Sequence, residues 1–261
     1  VIEIDRDDDP RLQVYRHVAA PRWLLDRGVF VAEGRLVVER LLAHGGYRID
    51  SILVTPTASH AIEARVTSGV PVYVAAQRTL DAITGFKFHR GCLAIVRRPE
   101  HTPLSRFASA RTLVVLEGVG NPDNIGGIFR SAAALGGDGV VLDRACADPF
   151  YRKAMRTSMG AVLRLPFVTT ETSRAAIAEL KAMRFTAIGL SPDGRTTLDD
   201  LARELAPETR VAFVAGSEGP GLSADAAAAV DTTVRIPIDP DSDSLNVVVA
   251  VSIALQRLRR V

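Results

Sequence analysis

Cysteine is nearly missing from this chain of 261 residues, with Cys92 and Cys146 as the only two. So few thiols, so far apart in sequence, exclude a disulfide framework and a cysteine-built metal site. Lysine is almost as scarce, confined to Lys87, Lys153 and Lys181, so arginine carries nearly all the positive charge. Together with the alanine richness, that bias reflects genomic base composition before it reflects function. A strong excess of either charge is lacking too: the formal net charge is +2, and composition alone announces no nucleic-acid partner. Residues 1–110 carry 15 Lys/Arg against 12 Asp/Glu, and the remainder 17 against 18. The slight basic bias of the first part permits phosphate contact and is equally the mark of an ordinary surface. No uncharged apolar stretch reaches the roughly 18 residues of a membrane span. The opening "VIEIDRDDDP" does not resemble a secretory signal. The expectation is a soluble, cytoplasmic chain with no membrane partner. His17, His44, His60, His89 and His101 are scattered without metal-ligand spacing, so no metal is expected.

What is present is an alternation of helices and strands, long enough for one large domain or two ordinary ones. "DDDPRLQVYRHVA" opens with an N-cap at Asp9 and Pro10 at the first helical position. "GVFVAEG" reads as a strand, and "RLVVERLLAHGG" as a helix stopped by a glycine pair. "IDSILVTP" is a strand, "ASHAIEARVTSG" a helix, and "VPVYVA" and "RGCLAIVRRP" further strands, closing an α/β unit near Arg98. Pro99 to Arg111 has the Pro and Ser content of a linker. A second alternation follows over 112–261. It has strands at "TLVVLE", "GVVLD", "LPFVTT", "FTAIGLS", "RVAFVAG" and "TVRIPI". Its helices run from about Ile125 to Leu135, over "SRAAIAELKAMR" and "SADAAAAV", and from about Ser244 to Leu258. Short unbroken apolar strands between helices imply a parallel sheet covered on both faces, hence the α/β class.

Open parallel sheets bind ligands beyond the carboxyl ends of their strands. Three strands here end in unusual loops: "GVGNPDN" after "LVVLE", "SEGPG" after "VAFVAG", and "DPDSDSLN" after "VRIPI". Each offers backbone N–H groups, small residues and one or two committed polar side chains, which favours one composite site. The first is no dinucleotide fingerprint. The spacing G-x-G-x-x-G from Gly118 and Gly120 would need a third glycine where Asp123 stands, so a nicotinamide dehydrogenase is set aside.

"NPDNIGGIFRSAAALG", "GSEGPGLS" and "IPIDPDSDSLNVVVAVSIAL" resemble, in order and spacing, the three signature motifs of the SpoU-type RNA ribose 2′-O-methyltransferases of the SPOUT superfamily. "RTSMGAVLRLPF" is similar to a further segment of that family. "FVAEGRLVVERLL" through "HRGCLAIVRRP" looks like the ribosomal-protein-related substrate-binding domain that precedes the catalytic domain in many members. The resemblance implies an N-terminal extension and RNA-binding domain over 1–98, a linker over 99–111, and a catalytic domain over 112–261. In that domain the C-terminal segment threads a loop as a deep trefoil knot, a rare exception to unthreaded connectivity. It also implies S-adenosyl-L-methionine bound in a bent shape, a homodimer, and an RNA substrate, with ribosomal RNA favoured over tRNA.

By the same resemblance Asn124 is structural or substrate-orienting; taken alone, it also suits a helix N-cap. Asn124 stands at the turn of the first motif and Arg130 six residues on, inside the helix, so both can face the sheet edge. Arg130 is credited in the family with activating the 2′-hydroxyl. A guanidinium stays protonated in proteins, so we read it as a clamp on an RNA phosphate or a cation facing developing alkoxide charge. Glu218 is placed to anchor Arg130 or Asn124, or to cap the helix near Ser223. Ser244 and Asn246 open the last helix and look like substrate- or motif-orienting residues, though Ser244 alone would serve as a cap. The positions that hold the cofactor through backbone and apolar walls fall on Gly216, Ile236 and Leu245. Arg156 and Ser158 touch RNA from a loop, unless "YRKAMRTS" is simply a solvated basic helix.

Two departures stand out. Pro240 lies where many members have glycine, with Ser242 and Asp243 replacing a familiar valine, and proline removes an N–H donor. The frequent "HQG" of the N-terminal domain reads His89-Arg90-Gly91, a swap toward phosphate contact. "VVVAVSIAL" is apolar on every face and calls for cover beyond one sheet face, from a second subunit or from a central position in a monomer. The competing function is a family member that holds RNA without turnover.

Overall fold

Apolar runs of four to seven residues, bounded by glycine, proline or serine, fold into strands along most of the chain. The computed structural model describes residues 1–85, 87 and 91–259. It divides into two compact units, Val1–Glu100 with Phe150–Leu163, and His101–Pro149 with Arg164–Val261.

The first unit runs β1 (Ile2–Ile4), α1 (Pro21–Asp26), β2 (Val29–Glu33), α2 (Arg35–His44), β3 (Ile49–Val54), α3 (Pro56–Ile62), β4 (Val72–Ala75), α4 (Gln77–Thr84) and β5 (Cys92–Arg97). Its sheet has the order β1-β4-β3-β5-β2. β1, β4 and β3 are parallel, while β5 runs antiparallel to both β3 and β2. Asp9 does cap Pro10–His17, accepting from the Arg11 N–H, but that segment is a 3-10 helix rather than an α-helix. Leu12, Tyr15 and Val18 recur at intervals of three and are fully buried, which suits the tighter helix. The buried Tyr15 hydroxyl pairs with Ser51 Oγ at 2.8 Å. α2 ends at Gly45 with φ +68°, as the glycine pair requires.

In the second unit β6 (Thr112–Glu117), α5 (Pro122–Leu135) and β7 (Gly139–Asp143) come first. The chain then passes through Phe150–Leu163, carrying α6 (Arg152–Thr157), which belongs to the first unit. It returns through β8 (Phe167–Thr170), α7 (Ser173–Ala182), β9 (Phe185–Leu190), β10 (Thr196–Thr197), α8 (Leu198–Glu204), β11 (Arg210–Gly216), α9 (Ala224–Ala229), β12 (Thr232–Arg235) and α10 (Val247–Arg257). The sheet order is β10-β12-β9-β11-β6-β7-β8, and every pairing is parallel. The parallel α/β expectation holds for this unit. All its strands therefore end at one edge, and the β6, β11 and β12 loops emerge together there.

The stretch read as a linker is docked rather than free: Leu104, Phe107 and Ala110 are buried in the core of the second unit. Phe150–Leu163 packs within the first unit. Phe150 stacks on Phe30 at 4.2 Å, Arg40 donates to the Met159 carbonyl, and Arg152 Nε meets Glu33 Oε2 at 2.7 Å. Glu33 and Arg152 are mostly buried, with side chains 6% and 19% exposed.

Candidate active site

The first turn follows β6. Asn121, not Asn124, caps α5: its Oδ1 accepts from the Asp123 N–H at 2.9 Å, and Pro122 takes the first helical position. The helix thus starts at Pro122, three residues earlier than the pattern implied. Asn124 falls inside the first turn, buried, and is released from any capping role. Asp143, at the end of β7, shapes the same turn. Its carboxylate accepts from the N–H groups of Gly118, Ala145 and Cys146 at 3.1–3.2 Å.

The second loop begins at Gly216, where β11 ends. A Cβ there would lie 2.0 Å from the Gly221 carbonyl oxygen, so only glycine allows the loop to close on its own strand. Gly221 N–H donates to the Ser217 carbonyl at 3.1 Å. Ser223 caps α9 and also donates, through N–H and Oγ, to the Glu117 carboxylate.

The third loop runs from β12 to α10. Asp239 Oδ1 accepts from Asp241 N–H, and its carbonyl from Ser242 N–H, both at 2.9 Å. Pro240 therefore occupies the second position of a tight turn, where its fixed φ is favoured and no N–H is needed. α10 starts at Val247. Its cap is Asn246, whose Oδ1 accepts from Val248 N–H at 2.9 Å, rather than Ser244, which is exposed.

Asn246 joins all three loops. With its oxygen committed to the cap, its Nδ2 donates to Glu218 Oε1 at 2.5 Å and to Asn124 Oδ1 at 3.3 Å. Glu218 is thus neither the cap of α9 nor an Arg130 anchor among the described contacts; it holds Asn246. Asn124 spends its oxygen on Asn246 and leaves Nδ2 buried, with no partner among the described residues. A buried donor without an acceptor costs about 1–3 kcal/mol. Among the described residues it is the one buried side-chain polar atom left without a partner, and it lies where the three loops meet.

Ile236 and Leu245, both half-buried, flank the third loop, and Gly216 is half-buried at its strand end. Arg130 is exposed. Six residues at about 100° each set it about 120° round the helix from Asn124. Arg130 lies one turn beyond Gly127, whose position abuts Val248 of α10; a Cβ on Gly127 would approach that side chain to 2.9 Å. Arg156 is exposed on α6. Ser158 corrects the sequence reading: it is 1% exposed and donates Oγ to the Met155 carbonyl at 2.9 Å, so its hydroxyl is not offered to RNA. His89 and Arg90 lie outside the described residues. Sequence reasoning missed Glu117, Asp143 and Asn121; a carboxylate at a strand end was the available signal for the first two, and for Glu117 it stands just before a glycine turn.

Residues 111–256 match the family model described as the SpoU rRNA Methylase family. An uncharacterized tRNA/rRNA methyltransferase of Mycobacterium bovis is 36% identical over 97% of this chain and 90% of its own length. This chain belongs to the SpoU rRNA methylase family. Solved structures of SpoU fold agree along nearly the whole chain. The SpoU methyltransferase AviRb from Streptomyces viridochromogenes has 23% identity and a TM-score of 0.82, covering 96% of each chain. An AdoMet-bound rRNA methyltransferase from Sinorhizobium meliloti has 24% identity and a TM-score of 0.83, covering 98% of this chain and 97% of that one. The three loops joined by Asn246 all lie inside the span matched to the SpoU family.

Proposed function

We propose that this SpoU-family methyltransferase takes S-adenosyl-L-methionine and methylates a ribose 2′-hydroxyl in structured RNA, ribosomal RNA ahead of tRNA. The observation that carries this reading is the bridge of Asn246 to Glu218 and Asn124, one residue from each of the three motif loops. The residues fit the cofactor. Gly216 keeps side-chain atoms out of the strand end, and Ile236 and Leu245 supply apolar walls. The turn between those walls carries the exposed carboxylates of Asp239, Asp241 and Asp243, a charge suited to a sulfonium. When bound, the cofactor supplies an electrophilic methyl group on positively charged sulfur.

The protein's own part is orientation and charge. The buried Asn124 Nδ2 donates to an acceptor of the bound nucleotide or cofactor, and Asn246 and Glu218 hold Asn124 in place. Arg130 stays protonated and faces a phosphate or the developing alkoxide; the hydroxyl proton leaves to water or a phosphate oxygen. Exposed Arg156 adds phosphate contact from the first unit. The reading includes the trefoil knot, supported by likeness to SpoU folds, and a homodimer, supported by Val249 and Ile253. These two apolar residues stand one turn apart on α10, 44% and 38% exposed.

The test is incubation with labelled S-adenosylmethionine and total RNA, followed by alkaline hydrolysis. A 2′-O-methyl blocks the hydroxyl that cleaves the chain, so label in alkali-resistant dinucleotides supports the proposal. Label in a base, or binding of RNA without transfer, overturns it; the second outcome is the mark of a silent RNA-binding member.

A further inference from the structure

Glu117 is the last residue of β6, immediately before the first turn, and among the described residues its carboxylate meets no cation. Oε1 accepts from Ser173 Oγ at 2.6 Å and from Ser223 Oγ at 2.8 Å, and Oε2 from Ser223 N–H at 2.8 Å. Ser173 is buried at the first turn of α7. Ser223 caps α9, its Oγ accepting from Ala226 N–H at 3.1 Å, so its rotamer is set from both sides. A carboxylate at two helix N-termini is well placed electrostatically. It is an unusual way to finish a strand unless the groups it gathers need to stay together.

Those groups define the second motif loop. Its start is fixed where Gly216 closes on Gly221, and its tip where Glu218 meets Asn246. At its exit Leu222 packs against the core of the second unit, and Ser223 takes its side-chain hydrogen bonds from outside the loop and α9, among the described residues, from Glu117 alone. Resting on the function proposed above, we infer that Glu117 is a positioning residue for the cofactor: it ties the exit of the 217–222 loop to β6 so that loop and first turn keep one geometry. Two of its three hydrogen bonds go to Ser223 and one to Ser173, which makes the idea testable by comparing the two serines.

The experiment is calorimetric titration of the whole chain with S-adenosylmethionine, without RNA, with melting temperatures and steady-state rates alongside. Replacing the carboxylate in Glu117→Gln sets an amide donor against the Ser223 N–H or Oγ. Affinity is expected to fall about tenfold, the size of one lost charge-assisted hydrogen bond. KM for the cofactor rises in step, while kcat at saturation stays within about twofold. Ser223→Ala should weaken binding in the same sense, and adding it to Glu117→Gln should cost little more. Ser173→Ala should leave affinity near wild type. Cofactor affinity unchanged in Glu117→Gln, or lost as much in Ser173→Ala as in Ser223→Ala, overturns the inference. If Glu117→Gln does not fold, the two serine variants decide between the same outcomes. A wild-type chain that binds no cofactor removes the function proposal and this one with it; a wild type that binds beside an indifferent Glu117→Gln removes this one only.

Discussion

At the scale of single residues the economy of Asn246 is the main finding. One amide caps α10 with its oxygen and joins two loops with its nitrogen. Asn246→Asp separates the tasks, because aspartate still caps a helix but sets a second carboxylate against Glu218. We expect folding to persist and methyl transfer to fall about 100-fold, the penalty of displacing a reacting group by about 1 Å; melting curves and initial rates check both halves. Arg130 behaves in the opposite way. It is exposed, so Arg130→Ala should leave stability within about 0.5 kcal/mol. The rate should drop about 10²–10³-fold with cofactor affinity intact, and Arg130→Lys should not restore it, since lysine lacks the two-pronged donor. The two thiols have no place in this chemistry. Burial pushes Cys92 and Cys146 up to about 12, with Glu39 and Asp143 adding to the shift. Buried Cys92 should react with a thiol reagent only as fast as the chain opens, while half-buried Cys146, its thiol held protonated at pH 8, should react slowly.

At the scale of elements, the loops depend on contacts that leave no room for change. Gly216→Ala would drive a Cβ into the Gly221 backbone, which cannot turn aside as a side chain can; we expect cofactor binding by calorimetry to be lost. Most of the strands were legible because their apolar runs stop at turn residues, and the three motif loops because their composition is unlike that of connectors. What escaped had physical reasons. α4 begins at Gln77, after Ala76, which offers no side-chain cap, and buries only Leu80, Ile83 and Thr84. α8 is short, although Thr197 accepting from Asp200 N–H was a cap signal that could have revealed it. The antiparallel direction of β5 is invisible in a run of buried residues, because direction resides in the partner strands. The start of α5 was placed three residues late because the composition of residues 121–124 suggested a turn where the helix had already begun.

At the scale of the whole molecule, sequence order and spatial membership part company. The Glu33–Arg152 pair lies within the first unit although its partners are far apart in the chain. Glu33→Ala leaves the Arg152 guanidinium without that carboxylate in a mostly buried place, and should cost about 3 kcal/mol in urea unfolding. Apolar α10 makes the second prediction at this scale. Glutamates at Val249 and Ile253 should convert a dimer at micromolar concentration into monomers in sedimentation, while a wild type that is already monomeric refutes the dimer.

The excursion of Phe150–Leu163 also sets a timetable for biosynthesis. Phe30 and Glu33 are made early, yet the ring that stacks on one and the guanidinium that pairs with the other are translated more than a hundred residues later. At about 5–20 residues per second, the nascent first unit waits several seconds with that face uncovered, while β6, α5 and β7 leave the ribosome. Its final consolidation is therefore tied to synthesis of the half that follows it, and a ribosome stalled before Phe150 would hold a chain open to chaperones.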